Sequence, residues 1–148
     1  VIIGIDPGNT GAIAFLYDRQ DLLVYDMPLM ANGKKQQVDP YKLKEIFTHN
    51  IKAGQVAILE KVHAMPGQGV TSMFNFGMGY GVIQGVLAAC DIRFILSAPQ
   101  QWKKAAGLIG KGKDEARVLA QRLYPDAPLG RKKDIGRADA ILIARFGI

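Results

Sequence analysis

The chain opens on a short β-branched run, Val1 to Ile5, that breaks at Asp6-Pro7-Gly8: a strand running into a tight turn. Ala12 to Tyr17 and Leu22 to Tyr25 are two more apolar runs, separated by the polar stretch Asp18 to Asp21. Three such strands joined by short turns predict an antiparallel meander. Ala31 to Gln37, rich in Asn, Gly, Lys and Gln, reads as a loop. Asp39-Pro40 then supplies a helix cap followed by proline at the first helical position. Leu43, Ile46 and Phe47 continue at helical spacing, and Gly54 marks the end. Val56 to Leu59 is continuously apolar, as a buried parallel strand is, and stops at Glu60.

Beyond a loop over Lys61 to Val70, the segment Ser72 to Ala89 predicts a long helix in spite of Gly77, Gly79, Gly81 and Gly85. Each interior glycine costs about 1 kcal/mol relative to Ala, so close packing has to recover the loss. Gly77, Gly81, Gly85 and Ala89 fall four apart and share one face. That face allows close approach of either the chain's own sheet or the same helix of a second subunit. Ile92 to Leu96 is a fifth strand. Gln100 to Ala106 and Ala116 to Leu123 are helices flanking a loop, Gly107 to Lys113, and Pro125 stops the second. Arg137 to Phe146 closes the chain as a helix with a wide apolar face. The order β β β α β α β α α α predicts an α/β domain with a mixed sheet.

Composition narrows this picture. With 148 residues, 49% of them apolar, the chain holds one core, so residues 1–148 are read as a single domain. The charge of +6 is not evenly spread. Residues 101–137 carry ten Lys and Arg against four acids, an uneven distribution that favours a polyanionic partner. A lone cysteine, Cys90, excludes an internal disulfide, fits a reducing compartment and reads as a buried structural thiol. No stretch approaches the ~18 apolar residues of a membrane span, and no basic segment precedes the first apolar run as in a signal peptide. The expected setting is therefore a cytoplasmic or organellar compartment.

Three acids fall where the backbone brings them to one sheet edge: Asp6 closing the first strand, Glu60 closing the fourth, and Asp139 early in the last helix. Ligands of α/β sheets bind outside the carboxyl ends of strands. Clustered carboxylates repel, and hard divalent cations relieve them; two ions about 4 Å apart hydrolyse phosphodiesters. Taken singly, each acid is better read as structural: a turn former, a solvated strand end, a macrodipole partner. Together, beside the basic segment, they favour chemistry.

Gly4-Ile5-Asp6-Pro7-Gly8, followed by Thr10-Gly11, resembles the first motif of RuvC-type Holliday junction resolvases. The apolar strand ending in Glu60 resembles the second, and Gly136-Arg137-Ala138-Asp139-Ala140 the third. The phage and organellar branch is more similar still. Its chains share a Gly-Gln-Gly and Phe-rich stretch like Gly67 to Gly77, a Trp like Trp102 and a Gly-Lys stretch like Gly110 to Lys113. The resemblance implies a ribonuclease H-like fold: a five-stranded mixed sheet, with strands 1-2-3 an antiparallel meander and 1-4-5 parallel, flanked by helices. It further implies a homodimeric endonuclease that nicks four-way DNA junctions symmetrically. Mg²⁺ or Mn²⁺, two ions per site, would be held by Asp6, Glu60 and Asp139, with neither a nucleotide cofactor nor a membrane involved.

Bacterial members place a fourth acid three residues before the last, where this chain has Gly136; Asp134 is the nearest substitute. In a continuous helix a five-residue offset turns Asp134 about 140° from Asp139, so it serves only from the preceding turn. The position of the strand-separating Phe is His63 here. His63, Phe74 or Phe76 would take that role, although both phenylalanines read first as core residues of the long helix. Lys111, Lys113, Lys132, Lys133 and Arg137 are the expected DNA contacts, and Gly77, Gly81 and Gly85 the expected dimer contact. Lys34 and Lys35 read as surface residues within reach of DNA. Three competing readings remain at this point: an actin-like ATPase, which needs a second such domain, an RNA-processing nuclease of the same fold, and a junction-binding protein that does not cut.

Overall fold

The computed structural model describes residues 1–148. Seven strands and five α-helices follow in order: β1 Ile2–Asp6, β2 Ala12–Leu16, β3 Leu22–Asp26, β4 Leu29–Asn32, β5 Lys35–Val38, α1 Pro40–His49, β6 Val56–Glu60, α2 Val70–Ala89, β7 Arg93–Ser97, α3 Pro99–Ala105, α4 Lys113–Leu123 and α5 Ile135–Phe146, the last entered through a 3₁₀ turn at Lys132–Asp134. The main sheet runs β3-β2-β1-β6-β7. β1, β2 and β3 pair antiparallel, whereas β1–β6 and β6–β7 are parallel, so the mixed sheet expected from the sequence is borne out.

Side-chain alternation sorts the sheet into two cores. Ile3, Ile5, Ala57 and Leu59 point to one face, where they pack with Leu43 and Phe47 of α1 and Ile83 and Leu87 of α2. Ile58 and Ala14 point to the other, under Trp102 of α3, Ala116 and Ala120 of α4, and the apolar stripe of α5. Gly4 shares this second face, and its missing side chain is what lets α5 come down on β1. A β-carbon there would lie 2.0 Å from the Ala140 carbonyl oxygen.

Three expectations need correction. Ala31 to Gln37 is not a loop: β4 and β5 form a separate two-stranded hairpin, paired from Leu29↔Val38 to Asn32↔Lys35. Its turn places Gly33 first, with φ 62, as a two-residue II′ turn requires. Gly33 followed by Lys34 was the available signal, and the polar flanks masked it because this hairpin faces solvent for most of its length. Helix α4 starts at Lys113, three residues before the expected position, because Asp114 and Glu115 suit the first turn of a helix. Cys90 is half-buried rather than buried, and its surroundings push the thiol up, which leaves it a poor nucleophile.

Candidate metal centre and nucleic-acid interface

Register brings the first two acids together. Gly4 pairs with Ile58 and Ile5 with Leu59 across parallel strands, so Asp6 and Glu60 are the next rung, both on the face that α5 covers. Adjacent strands are about 4.8 Å apart, close enough for the two carboxylates to share a ligand. Asp139 is in the second turn of α5, which packs on β1 and β2. Asp6 and Asp139 line one cavity of about 490 Å³, together with Lys103, Lys111, Lys113 and Lys133.

Electrostatics record the crowding. Burial, above all, pushes the Asp6 carboxyl up to about 8; the charges of Asp139 and Glu60 add to the rise and Lys103 opposes it. Asp139 is pushed up to about 7, first by burial and then by Glu60, against Lys103 and Lys113. Burial also raises Glu60, with the Trp102 hydrogen bond and Lys103 working the other way. Lys103 is thus the cation that faces all three acids. The sequence reading missed it, because its place depends on how β7 hands the chain to α3.

No group of three His, Cys, Asp or Glu side chains, the trio Asp6, Glu60 and Asp139 included, is gathered closely enough to hold a metal ion by itself. The donor set nonetheless fits Mg²⁺ or Mn²⁺, which take a few carboxylate oxygens and fill the remaining positions with water or phosphate. Asp6 and Asp139 present oxygens to an open cavity under like-charge stress, and a divalent cation relieves that stress directly.

Asp134 is employed differently. It lies in the turn before α5, as its use as a ligand would require, but its buried carboxylate is held by Arg131 through the backbone N–H at 2.9 Å and the guanidinium at 2.7 Å. Arg137 adds a longer contact of 3.8 Å. The Arg131 guanidinium holds the Asp134 carboxyl below the usual carboxylate range, and Asp134 is not among the charges acting on Asp6, Glu60 or Asp139. Arg137 is likewise engaged: its guanidinium grips Asp26 at the end of β3 with bonds of 2.7 and 3.0 Å and donates to the Pro128 carbonyl. Lys132 is exposed outside the carboxylate cavity, next to Asp114.

Phe74 overturns its reading as a core residue, since it is 70% exposed near the start of α2. Phe76 is half-buried, and its ring covers Gly8. His63 is exposed in a cleft shared with Lys61, Met65 and Phe76. Gly77, Gly81 and Gly85 are exposed, and nothing lies within 4 Å of a β-carbon built on any of them, so the sheet of the same chain is not what they approach. A further cleft, lined by Asn9, Lys34, Lys35, Ser72 and Asn75, separates the β4–β5 hairpin from α2 on the Gly8 side of the site.

No protein-family model matches the chain. A chloroplastic Holliday junction resolvase, MOC1 of Chlamydomonas reinhardtii, is 37% identical over 87 residues, which is 57% of this chain and 10% of that protein. The chain thus spans about a tenth of the length of the curated relative it matches. Among solved structures, Thermus thermophilus RuvC in complex with a Holliday junction substrate superimposes with a TM-score of 0.62 at 16% identity, over 97% of this chain and 89% of that one. A second Thermus thermophilus RuvC structure gives 0.58 at 17% identity, over 97% and 90%. No helix is long and apolar enough to cross a membrane. Over nearly its whole length the chain therefore has the RuvC fold, and its resemblance to the RuvC-like Holliday junction resolvases, expected from three acidic motifs, is borne out in fold and in sequence.

Proposed function

We propose that residues 1–148 form one nuclease domain that resolves four-way DNA junctions as a homodimer, with Asp6, Glu60 and Asp139 holding divalent cations. The observation that carries this reading is the pair of half-buried carboxylates, Asp6 and Asp139, opening into a cavity walled by four lysines. A structural acid is normally paired or solvated, whereas these are crowded at the carboxyl edge of a parallel strand pair and face where a phosphodiester would enter. When bound there, a pair of Mg²⁺ or Mn²⁺ ions supplies water activation and charge relief at the leaving oxygen.

The protein's own part is attraction, placement and distortion. Lys103, Lys111, Lys113 and Lys133 draw the phosphate backbone into the cavity, and such contacts fix register without reading sequence. Lys132, Lys34 and Lys35 widen the positive field. Phe74 stands free at the entrance of α2, apolar and exposed, fit to enter between unstacked bases, and His63, in its cleft beside Phe76, is a second group able to stack. The open glycine face of α2 fits a second copy of the same helix, and a two-fold dimer would set two sites against opposed strands. A reducing compartment that holds branched DNA, bacterial cytoplasm or organelle, suits the single free thiol.

Cleavage of a synthetic four-way junction with Mg²⁺, beside linear duplex, single-stranded DNA and RNA, tests this function. Paired symmetric nicks confined to the junction are expected. Preferential cutting of RNA, with the junction left whole, would keep the metal centre and discard the substrate; binding without any cutting would discard the reaction.

A further inference from the structure

We infer that Trp102 is a positioning residue for Glu60, fixing one carboxylate oxygen so that the other is presented to the cation; this rests on the proposed metal centre. Trp102 is the only tryptophan in the chain and is completely buried among the residues of α4 and α5. A buried indole needs an acceptor for its N–H, and this one uses neither backbone carbonyl nor solvent. Its Nε1 donates to Glu60 Oε2 at 2.8 Å.

Indole is a donor only, so this bond has a single polarity and persists at every pH where the protein is folded. The rest of Glu60 is anchored as well. Its carbonyl accepts from the Tyr80 hydroxyl at 3.1 Å, and the following residue, Lys61, donates its N–H to the Ser97 carbonyl at 2.8 Å. With the main chain held there, the side-chain torsions of Glu60 are the remaining freedom, and the indole bond restricts them. Of the three acids, Glu60 alone receives a protein side-chain hydrogen bond; Asp6 and Asp139 are steered only by burial and charge. The neighbouring Lys103 packs its ammonium 5.4 Å from the centre of the Trp102 ring, so one turn of α3 sets both the orientation of Glu60 and the cation facing the site.

Outer hydrogen bonds that orient a metal-bound carboxylate typically carry about 10–100-fold in metal affinity. Trp102→Phe keeps an aromatic ring and deletes the N–H. Isothermal titration of Mn²⁺ into the DNA-free full chain is expected to show that loss in Trp102→Phe, with junction binding in EDTA unchanged. A folded Trp102→Phe whose Mn²⁺ affinity stays within about twofold of wild type overturns the inference. Should that variant fail to fold, the wild-type protein answers alone, since its one indole touches the site. Ca²⁺ is expected to shift tryptophan emission in wild type and not in Glu60→Gln. An unchanged wild-type emission, while calorimetry records Ca²⁺ binding, overturns the inference and leaves the metal centre standing. If wild type takes up no cation by either measure, the metal centre itself falls, and the inference with it.

Discussion

Gly136 lies against the Thr10 carbonyl so closely that a β-carbon built on it would sit 2.2 Å from that oxygen. The position where the resemblance to RuvC-type resolvases leads to the expectation of a fourth acid is therefore closed to any side chain here, because backbone, not a flexible side chain, occupies the space. Gly136→Asp is expected to destabilise the fold by about 1–3 kcal/mol through overpacking rather than add a metal ligand. Urea denaturation with the junction-cleavage rate measures both; a stable Gly136→Asp with faster cutting would contradict the geometry.

Asp134, the other candidate for a fourth ligand, is tied to Arg131 and Arg137. Asp134→Asn weakens charge-assisted hydrogen bonds at the entry to α5 and is expected to cost about 1–3 kcal/mol in stability. Its cutting rate per folded molecule should stay near wild type. A loss as deep as that of Asp139→Asn would return Asp134 to the metal centre.

The pH dependence of the metal-free protein has two opposed arms. Asp6 and Asp139, raised from 3.8 to about 8 and about 7, bind protons more tightly folded than unfolded. Their contribution is full below the unfolded value and is lost as pH climbs through about 7 to 8, so the midpoint of thermal unfolding should fall between pH 5 and about 8. Asp26 and Asp134 are lowered by Arg137 and Arg131 respectively, and their contribution is lost at the acid end instead, as pH drops below the usual carboxylate range. Asp6→Asn should flatten the alkaline arm. Mg²⁺ should restore the midpoint at pH 8 and do little at pH 5, where protons already occupy the site. A midpoint that rises across this window in EDTA would contradict the raised carboxyls.

How much of this was legible in the residues follows from what each signal depends on. The strands and the antiparallel β1-β2-β3 meander follow from periodicity and turn lengths, which are local, whereas the parallel β1-β6-β7 order comes from the family resemblance; the carboxyl ends of β1 and β6 then place Asp6 and Glu60. Asp139 needed only the frame of α5. Harder to read were features set by tertiary contact. Lys103 and Trp102 reach the site because of the β7–α3 connection, and Asp134 is diverted by an arginine three residues upstream. Phe74 looked like a core residue because it is a large aromatic in a long, mostly apolar helix, yet it lies near the start of α2 and is left in solvent. The β4–β5 hairpin was hidden because strands facing water lack the alternation that marks a half-buried one.

The glycine face of α2 has a direct test. Gly81→Arg places a long cation on an exposed surface where nothing lies within 4 Å, so the monomer should fold with stability changed by no more than helix propensity allows, in its favour by up to about 1 kcal/mol. If that face joins two copies, sedimentation should shift from dimer to monomer and paired nicking should be lost. An unchanged dimer would move the interface elsewhere on the molecule.

The central claim, that Asp6, Glu60 and Asp139 form the metal centre of a junction-cutting enzyme, is tested most directly by Asp6→Asn and Glu60→Gln assayed side by side for cutting with Mg²⁺ and for junction binding in EDTA. Both variants should bind the four-way junction like wild type and cut it at least about 10³-fold more slowly, the scale on which acid–base and metal catalysis act. Variants that cut at the wild-type rate would show that these carboxylates are not the metal centre.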